Sequence, residues 1–193
     1  MKDKNLLIFS FVVIVLIFIF FAIVDFKIAQ SELSANFKTD TFSAMDPEVN
    51  LDNIYLHLRG GSDFDKILED QLKLDLQEDY NVYSYINLKE KFNDSFLGIK
   101  VLNEEVLYTP FFSKAKLRIL VFFSSSGRTK YFKDFAQGKE VPVYFNSTEG
   151  PQLVTKSILN LRDESLGIMT PKAYSNHITQ RISKEISNKI KDL

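Results

Sequence analysis

Cysteine is absent from this sequence, which excludes disulfide bonds, thiolate zinc sites, a catalytic thiol and a lipid-bearing N-terminal cysteine. The absence leaves the cellular compartment open, because a chain without cysteine survives in oxidising and reducing surroundings alike. Glycine and proline are scarce, with 7 and 5 residues, so a collagen-like, linker-like or wholly disordered chain is excluded. The 24 basic residues nearly balance the 25 acidic ones, which argues against a nucleic-acid-binding protein.

Apolar residues are plentiful by contrast. They make up 45% of the 193 residues, and the chain has 18 phenylalanines. This is enough for one ordinary domain with a short appendage. Stretches with strand-like alternation and stretches with helical spacing both occur after residue 52. We therefore expect residues 53–193 to form one globular α+β domain with a mixed sheet and a C-terminal amphipathic helix.

The longest apolar run lies near the N-terminus, at 6–24, and reads LLIFSFVVIVLIFIFFAIV. Ser10 is its only polar residue, and a serine can bond back to a carbonyl one turn earlier, which lowers its cost in lipid. At about 1.5 Å per residue these 19 residues span about 28 Å, close to the roughly 30 Å core of a bilayer. The sequence therefore predicts a transmembrane helix over 6–24 that contacts the lipid bilayer, after a short basic head at 1–5.

This segment is either a retained anchor or a removed signal peptide. The run exceeds the roughly 7–15 apolar residues of a signal-peptide core. Ala29-Gln30-Ser31 has the small-x-small pattern of a cleavage site, but it lies beyond Lys27, five residues after the apolar run. We favour an uncleaved anchor in the cell membrane.

The orientation of the anchor follows from the lysines that flank it. Lys2 and Lys4 precede the span together with the free amino group, whereas Lys27 and the more distant Lys38 follow it. Because the more basic flank stays inside, we expect the globular domain outside the cytoplasm.

The remainder of the chain divides into a tether and several predicted strands. Residues 25–52 are polar and show no sustained period, which predicts a tether. The run KLRILVFF at 116–123 is the most apolar strand candidate and is expected at the centre of the sheet. The other predicted strand segments are 53–58, 80–88, 97–101, 106–108, 141–145 and 153–161.

Two amphipathic helices are predicted. The first covers 63–78, begins after the N-cap Ser62 and carries a solvated acidic face. The second begins after the N-cap Thr170, with Pro171 at the first helical position. One apolar stripe repeats along it every four residues: Tyr174, Ile178, Ile182, Ile186 and Ile190. This stripe either docks on the protein's own sheet, which we favour, or is the interface with a partner protein or a membrane surface.

The usual catalytic patterns are missing, so no catalytic residue, metal site or cofactor is predicted. The sequence has no H-E-x-x-H, G-x-S-x-G or Walker pattern. It has two histidines, His57 in a strand and His177 on the last helix, and the lone strand histidine is expected to be structural. The acidic residues of 63–79 have helical spacing among leucines, which is typical of a solvated face rather than a calcium loop.

One loop could bind a phosphate group. Ser124-Ser125-Ser126-Gly127-Arg128-Thr129-Lys130 follows the most apolar strand, and hydroxyls, a glycine and two cations at a strand exit can hold an anion. The pattern is also ordinary turn chemistry. It resembles the sugar-phosphate loop of sugar isomerase domains, and Gly61-Ser62 and GIMTPKAY at 167–174 follow in the corresponding chain order. The resemblance implies that Ser124, Ser126, Gly127 and Thr129 form the phosphate site, with Lys172 near the sugar.

Two functions therefore remain open. A short head, one span and a domain without a catalytic pattern are typical of an accessory or assembly subunit that binds another protein of a membrane complex. The alternative is a domain that binds a phosphorylated sugar through the loop at 124–129. We favour the first.

Overall fold

The computed structural model describes residues 2–45, 49, 51–145 and 151–193. Within these ranges the chain forms four helices and six strands, and the domain follows directly after the first helix. The elements in chain order are α1 (Lys2–Ile23), β1 (Lys27–Ala44), β2 (Asn53–Leu58), α2 (Asp63–Gln77), β3 (Asn81–Ser84), β4 (Ser95–Tyr108), β5 (Phe112–Ser124), α3 (Lys130–Phe135), β6 (Gln152–Met169) and α4 (Pro171–Lys191).

Helix α1 contains most of the N-terminal apolar run. Its side chains are described at 8–17, 19 and 20, and the large apolar ones among them are exposed, from 37% at Val13 to 67% at Phe9. Within the described parts of the chain, no helix combines the length and the apolar character that crossing a membrane requires.

The six strands form one mixed sheet in the order β1-β6-β5-β4-β2-β3. β2 pairs in parallel with β3 and with β4, whereas the pairs from β4 through β5 and β6 to β1 are antiparallel. Helix α2 connects the parallel neighbours β2 and β3, which need such a crossover. The prediction of an α+β fold with one mixed sheet is confirmed, and β5 lies inside the sheet.

Strand β1 stands where the sequence predicted a tether over 25–52. Residues 27–44 pair with β6 along their whole length, from Lys27 opposite Met169 to Ala44 opposite Gln152. Alternate positions from 29 to 39 are half-buried, but several of them hold small or polar residues, such as Ala29 and Ser31. The inward and outward positions therefore differ little in hydrophobicity, and the two-residue period of a strand is not evident in the sequence. The tether prediction was therefore wrong for 27–44, and β1 belongs to the domain; residues 46–48 and 50 lie outside the described residues.

The other strands differ from prediction mainly in length. β2 has the predicted bounds, and β4 joins two predicted segments through a bulge between Val101 and Asn103. β3 is only four residues long, β6 continues to Met169, and residues 141–145 form no strand. The ends of these strands depend on pairing with neighbouring strands, and the β-propensity of single residues predicts such pairing poorly.

Helices α2 and α4 cover one face of the sheet, which we call the helical face. Both helices begin at the predicted N-caps, and the Ser62 hydroxyl accepts a hydrogen bond from the Asp65 amide at 3.1 Å. The apolar stripe of α4 is buried in the protein's own core, at 0–3% exposure: Tyr174, Ile178, Ile182, Ile186 and Ile190. The structure thus shows the favoured alternative, in which the stripe docks inside the protein. Because these side chains are buried, they are not accessible to a partner, and the alternative assignment of the stripe as a partner interface is corrected.

Among the described residues, the opposite face is covered at only one end, by the unpredicted helix α3. Aromatic rings fill the space under it, and we call them the aromatic cluster: Phe92, Phe96, Phe122, Phe132 and Phe135. The Phe132 ring lies 5.6 Å from that of Phe96 and directly above Gly98, where an added Cβ would approach the ring to 2.6 Å. Toward the α1 end of this face, exposed polar side chains occupy the strands, and we call this region the open half: Asn36, Asn103, Lys116, Arg118, Asn160 and Arg162.

Candidate functional site

The serine loop, residues 124–130, is held by hydrogen bonds within the loop and to the segment 89–92. Ser124 and Thr129 are both 0% exposed, and the Thr129 hydroxyl donates to the carbonyl oxygen of Lys89 at 2.5 Å. Gly127 has φ +71°, its N–H donates to Ser124 O at 3.2 Å, and an added Cβ would lie 2.4 Å from Phe92 O. The Ser124 and Ser126 hydroxyls lie 3.4 Å apart. These contacts give the glycine and the hydroxyls a structural role in a turn.

Lys172, the remaining residue of the predicted phosphate site, lies at the other end of the sheet. It is exposed in the first turn of α4, just after Met169 at the end of β6, where β6 pairs with the start of β5. Ser124 ends β5, and at about 3.3 Å per residue the length of that strand separates the two by roughly 40 Å. The structure therefore does not bring Lys172 together with the serine loop, and the arrangement that the sugar isomerase resemblance implied is not formed.

A cavity of about 620 Å³ lies where the parallel strands β2 and β3 end and α2 begins. The amides at this helix N-terminus already hold an anion, because the Asp65 carboxylate accepts hydrogen bonds from Gly61 N–H (2.9 Å) and Ser62 N–H (3.0 Å). An added Cβ at Gly60 would lie 2.1 Å from Asp65 Oδ2, so glycine at this position lets the carboxylate reach back. The Asp65 carboxylate thus already occupies these amide donors at the border of the cavity.

His57 borders the same cavity and is 7% exposed. Its Nδ1 lies 2.8 Å from the carbonyl oxygen of Tyr85, and because a carbonyl only accepts, Nδ1 carries the proton. The ring packs edge-on against Phe132 at 5.8 Å. These contacts explain His57 as a satisfied strand histidine that links β2 to the segment after β3. Arg59 and Lys133 also line the cavity, and sequence reasoning missed this grouping because it depends on the parallel pairing.

The second histidine belongs to a buried polar network on the helical face. Asp163 of β6 is 0% exposed; His177 Nε2 lies 3.2 Å from its Oδ1, and the Ser165 hydroxyl donates to its Oδ2 at 2.9 Å. The Ser31 hydroxyl of β1 lies 2.8 Å from that of Ser165. Burial, followed by the negative charge of Asp163, raises the pKa of Tyr174. The network links α4 and β1 to β6. Ser165 bonds the Asp163 carboxylate rather than His177, whereas a nucleophilic serine would bond the histidine that serves as its base.

Metal ligands are not grouped in the described residues, where no cluster of three or more His, Asp or Glu side chains is suited to hold an ion.

The open half borders two shallow cavities, of about 440 and 500 Å³. Arg118 and Asn160 line both of them, and the second extends to Phe135 and Lys139 beside α3. Six cationic side chains and three carboxylates line them: Lys38, Lys116, Arg118, Lys139, Lys156 and Arg162, with Asp40, Glu105 and Glu140. Three of the cations are paired with carboxylates, Lys139 with Asp134, Lys156 with Glu140 and Arg162 with Glu164. The lining next to the free edge of β1 therefore keeps only a small positive excess.

No protein-family model and no curated protein matches this chain. Among solved structures, the chain is similar to a minor lipoprotein from Acinetobacter baumannii, known from a 2.35 Å crystal structure. The identity is 18%, the match covers 72% of this chain and 94% of that one, and the TM-score is 0.29. A likeness at this level does not establish a shared fold.

Proposed function

We propose that this protein is a single-pass accessory or assembly subunit of a membrane complex. Helix α1 anchors it in the cell membrane, and the domain that begins with β1 lies outside the cytoplasm, where it binds another membrane protein. The orientation follows the positive-inside rule, because Lys2 and Lys4 precede the apolar run.

The exposure of α1 is the observation that carries the anchoring part of this proposal. Ten consecutive side chains, at 8–17, are exposed, and all but Ser10 are apolar. Leu16, for example, is 58% exposed and Phe11 64%. An apolar surface of this kind is unfavourable in water and favourable in lipid, at roughly 25 cal/mol per Å². The two core clusters of the domain are built from residues outside α1.

Membrane fractionation tests the anchoring with matched variants of the full chain. We expect the protein to remain in the membrane pellet after alkaline extraction, and the double variant Val12→Lys/Leu16→Lys to be released, because both side chains would face lipid. Leu74→Lys is the control, since Leu74 is 62% exposed on α2, outside the anchor. Release of the unmodified chain, or retention of the double variant, would contradict the proposal.

Strand β1 supports the assembly part of the proposal. It is an 18-residue strand at one border of the sheet, whereas β3, at the other border, has four residues. A long edge strand presents backbone N–H and C=O groups that a strand of another protein can pair with. β1 contains no proline, and its middle, 33–37, carries none of the charged side chains that oppose pairing at an edge. Because the open half beside this edge keeps a small positive excess, the partner strand should present acidic or polar side chains on that side.

Edge-blocking substitutions test the pairing. Ser34 and Asn36 are exposed on β1, and the double variant Ser34→Lys/Asn36→Lys should weaken recovery of the partner from solubilised membranes while the domain stays folded, because lysines on an edge strand oppose pairing. The conservative variant Ser34→Thr/Asn36→Gln should retain the partner. Equal recovery with the lysine variant would contradict pairing through β1.

A further inference from the structure

The end of the sheet next to α1 carries a group of exposed apolar side chains, which we call the apolar rim. Its members are Ile28 (67% exposed), Phe111 (65%), Phe112 (36%), Leu166 (71%) and Ile168 (37%). They come from the start of β1, the β4–β5 turn and the end of β6. Ile28 pairs with Ile168, and Phe112 with Leu166, so these four share the face that bears the open half. An exposed patch of this composition marks an interaction surface.

The rim is a fixed part of the sheet. Gly167 N–H donates to Phe111 O at 2.9 Å, and Met169 N–H donates to Pro110 O at 3.1 Å, so the β4–β5 turn is bonded to the end of β6. The Thr109 hydroxyl and N–H also bond Phe112, at 2.5 and 2.9 Å from its carbonyl oxygen. Phe111 is therefore held at the tip of an ordered turn.

The link between α1 and the sheet is too short to let the rim move away from the anchor. Residues 24–26 separate the two elements, and three residues reach about 10 Å when fully extended. The link is also bonded, because Phe26 N–H donates to Thr170 Oγ1 (3.2 Å) and Thr170 N–H donates to Phe26 O (2.9 Å). Thr170 caps α4, so the end of α1 is tied to the main body of the domain.

Cations lie just behind the rim. Lys114 and Arg162 both contact the Glu164 carboxylate, at 2.6 and 2.8 Å, which leaves one net positive charge on this group. Lys27 starts β1, and Lys172 is exposed in the first turn of α4. Apolar side chains with lysine and arginine behind them are typical of a surface at the headgroup level of a bilayer.

We propose that the apolar rim inserts into the lipid interface beside α1 and seats the sheet against the bilayer as a second membrane contact. This inference rests on the anchoring proposed above, because the short link brings the rim to lipid only when α1 is in the membrane. Insertion of such side chains by about 5–10 Å would fix the direction in which the β1 edge and the open half face.

A tryptophan reporter tests directly whether the rim contacts lipid, a contact that we call the seat, since the chain contains no tryptophan of its own. The full-length Phe111→Trp and Leu166→Trp variants are placed in vesicles of phosphatidylcholine and phosphatidylglycerol, with and without brominated acyl chains. Tyr144→Trp is the control, because Tyr144 is 71% exposed and its backbone contacts Tyr131 of α3, toward the opposite end of the sheet. We expect strong quenching of both rim variants by brominated lipid and little quenching of the control.

The outcomes separate the two proposals. A rim variant that sediments with vesicles and is quenched supports the seat. Sedimentation without quenching, or a blue-shifted emission that brominated lipid leaves unchanged, overturns the seat while anchoring by α1 stands; the second result would mean that protein covers the rim. A chain that does not sediment with vesicles overturns the anchoring and the seat together.

Discussion

The two faces of the sheet are packed in different ways. The helical face is covered by α2 and α4 with aliphatic side chains, and the stripe of α4 is completely buried. The opposite face has the aromatic cluster under α3 at one end and exposed polar side chains at the other. Stability is therefore expected to come from the whole helical face but from only one end of the other face. The side chains of the open half and of the rim are exposed.

The sharpest way to break this comparison is to place the same charge on both faces at adjacent residues. Ile119 is 0% exposed on the helical face, whereas Arg118 is exposed on the open half. Ile119→Asp should unfold the domain, because an unpaired buried carboxylate costs several kcal/mol or more, against a typical total stability of about 5–15 kcal/mol. Arg118→Asp should change the thermal midpoint little. Similar melting curves for the two variants would show that the faces are not distinct.

The aromatic end can be tested by a double-mutant cycle. Phe132→Ala should lower the free energy of unfolding by about 3–5 kcal/mol. Gly98→Ala should lower it by about 1–3 kcal/mol, because the new Cβ would overlap the Phe132 ring. In the double variant the second cost should largely disappear, since the ring is gone. Additive losses in urea unfolding would contradict the contact between Gly98 and the ring.

For the aliphatic stripe of α4 we expect a slightly smaller loss of stability than for Phe132. Ile182 is 0% exposed, and Ile182→Ala should lower the free energy of unfolding by about 2–5 kcal/mol. Lys184→Ala on the exposed side of the same helix is the control and should change it by only a few tenths of a kcal/mol. A negligible effect of Ile182→Ala on the urea midpoint would contradict internal docking of the stripe.

The smallest expected change in stability depends on pH and comes from Glu164, on the sheet face opposite α2 and α4. Hydrogen bonds from Lys114 and Arg162 hold the pKa of Glu164 at about 2, below its usual value of 4.5. A depressed folded-state pKa contributes stability that is present above pH 4.5 and lost as the pH falls toward 2. Glu164→Gln should therefore flatten this part of the acid limb in urea titrations. The carboxylate is solvent-exposed, so the change should be small, and a steeper acid limb in the variant would contradict the ion pairs.

The sequence predicted the elements whose signals are local. Ser62 and Thr170 mark helix starts by cap chemistry, and the isoleucines of α4 mark its buried side by spacing. β1 was not predicted because several of its inward positions hold small or polar side chains, and because its strand character comes from pairing with β6, more than a hundred residues away. Long-range pairing of this kind leaves little trace in a single sequence.

The candidate sites were harder to predict for the same reason. The serine loop and the segment that contains Lys172 follow one another in the chain order of the sugar isomerase motifs, but β6 runs antiparallel to β5 and places Lys172 at the far end of the sheet. The cavity beside His57 joins the ends of the parallel strands β2 and β3 with residues of α2 and α3. The rim likewise joins residues from three separate parts of the chain, and only the register of the sheet assembles them.

Photo-crosslinking along β1 tests the central proposal, that the domain binds another membrane protein through its long edge strand. A photoreactive residue is placed at Ser34 or at Asn36 in the full chain, and at Leu74 as the exposed control; the adducts formed in native membranes are then mapped by mass spectrometry. Because Ser34 and Asn36 point to the same side of β1, we expect their attachment sites to lie two residues apart in one extended segment of one membrane protein, with no such adduct from Leu74. Adducts of equal yield at Leu74, or scattered attachment sites from β1, would contradict the account.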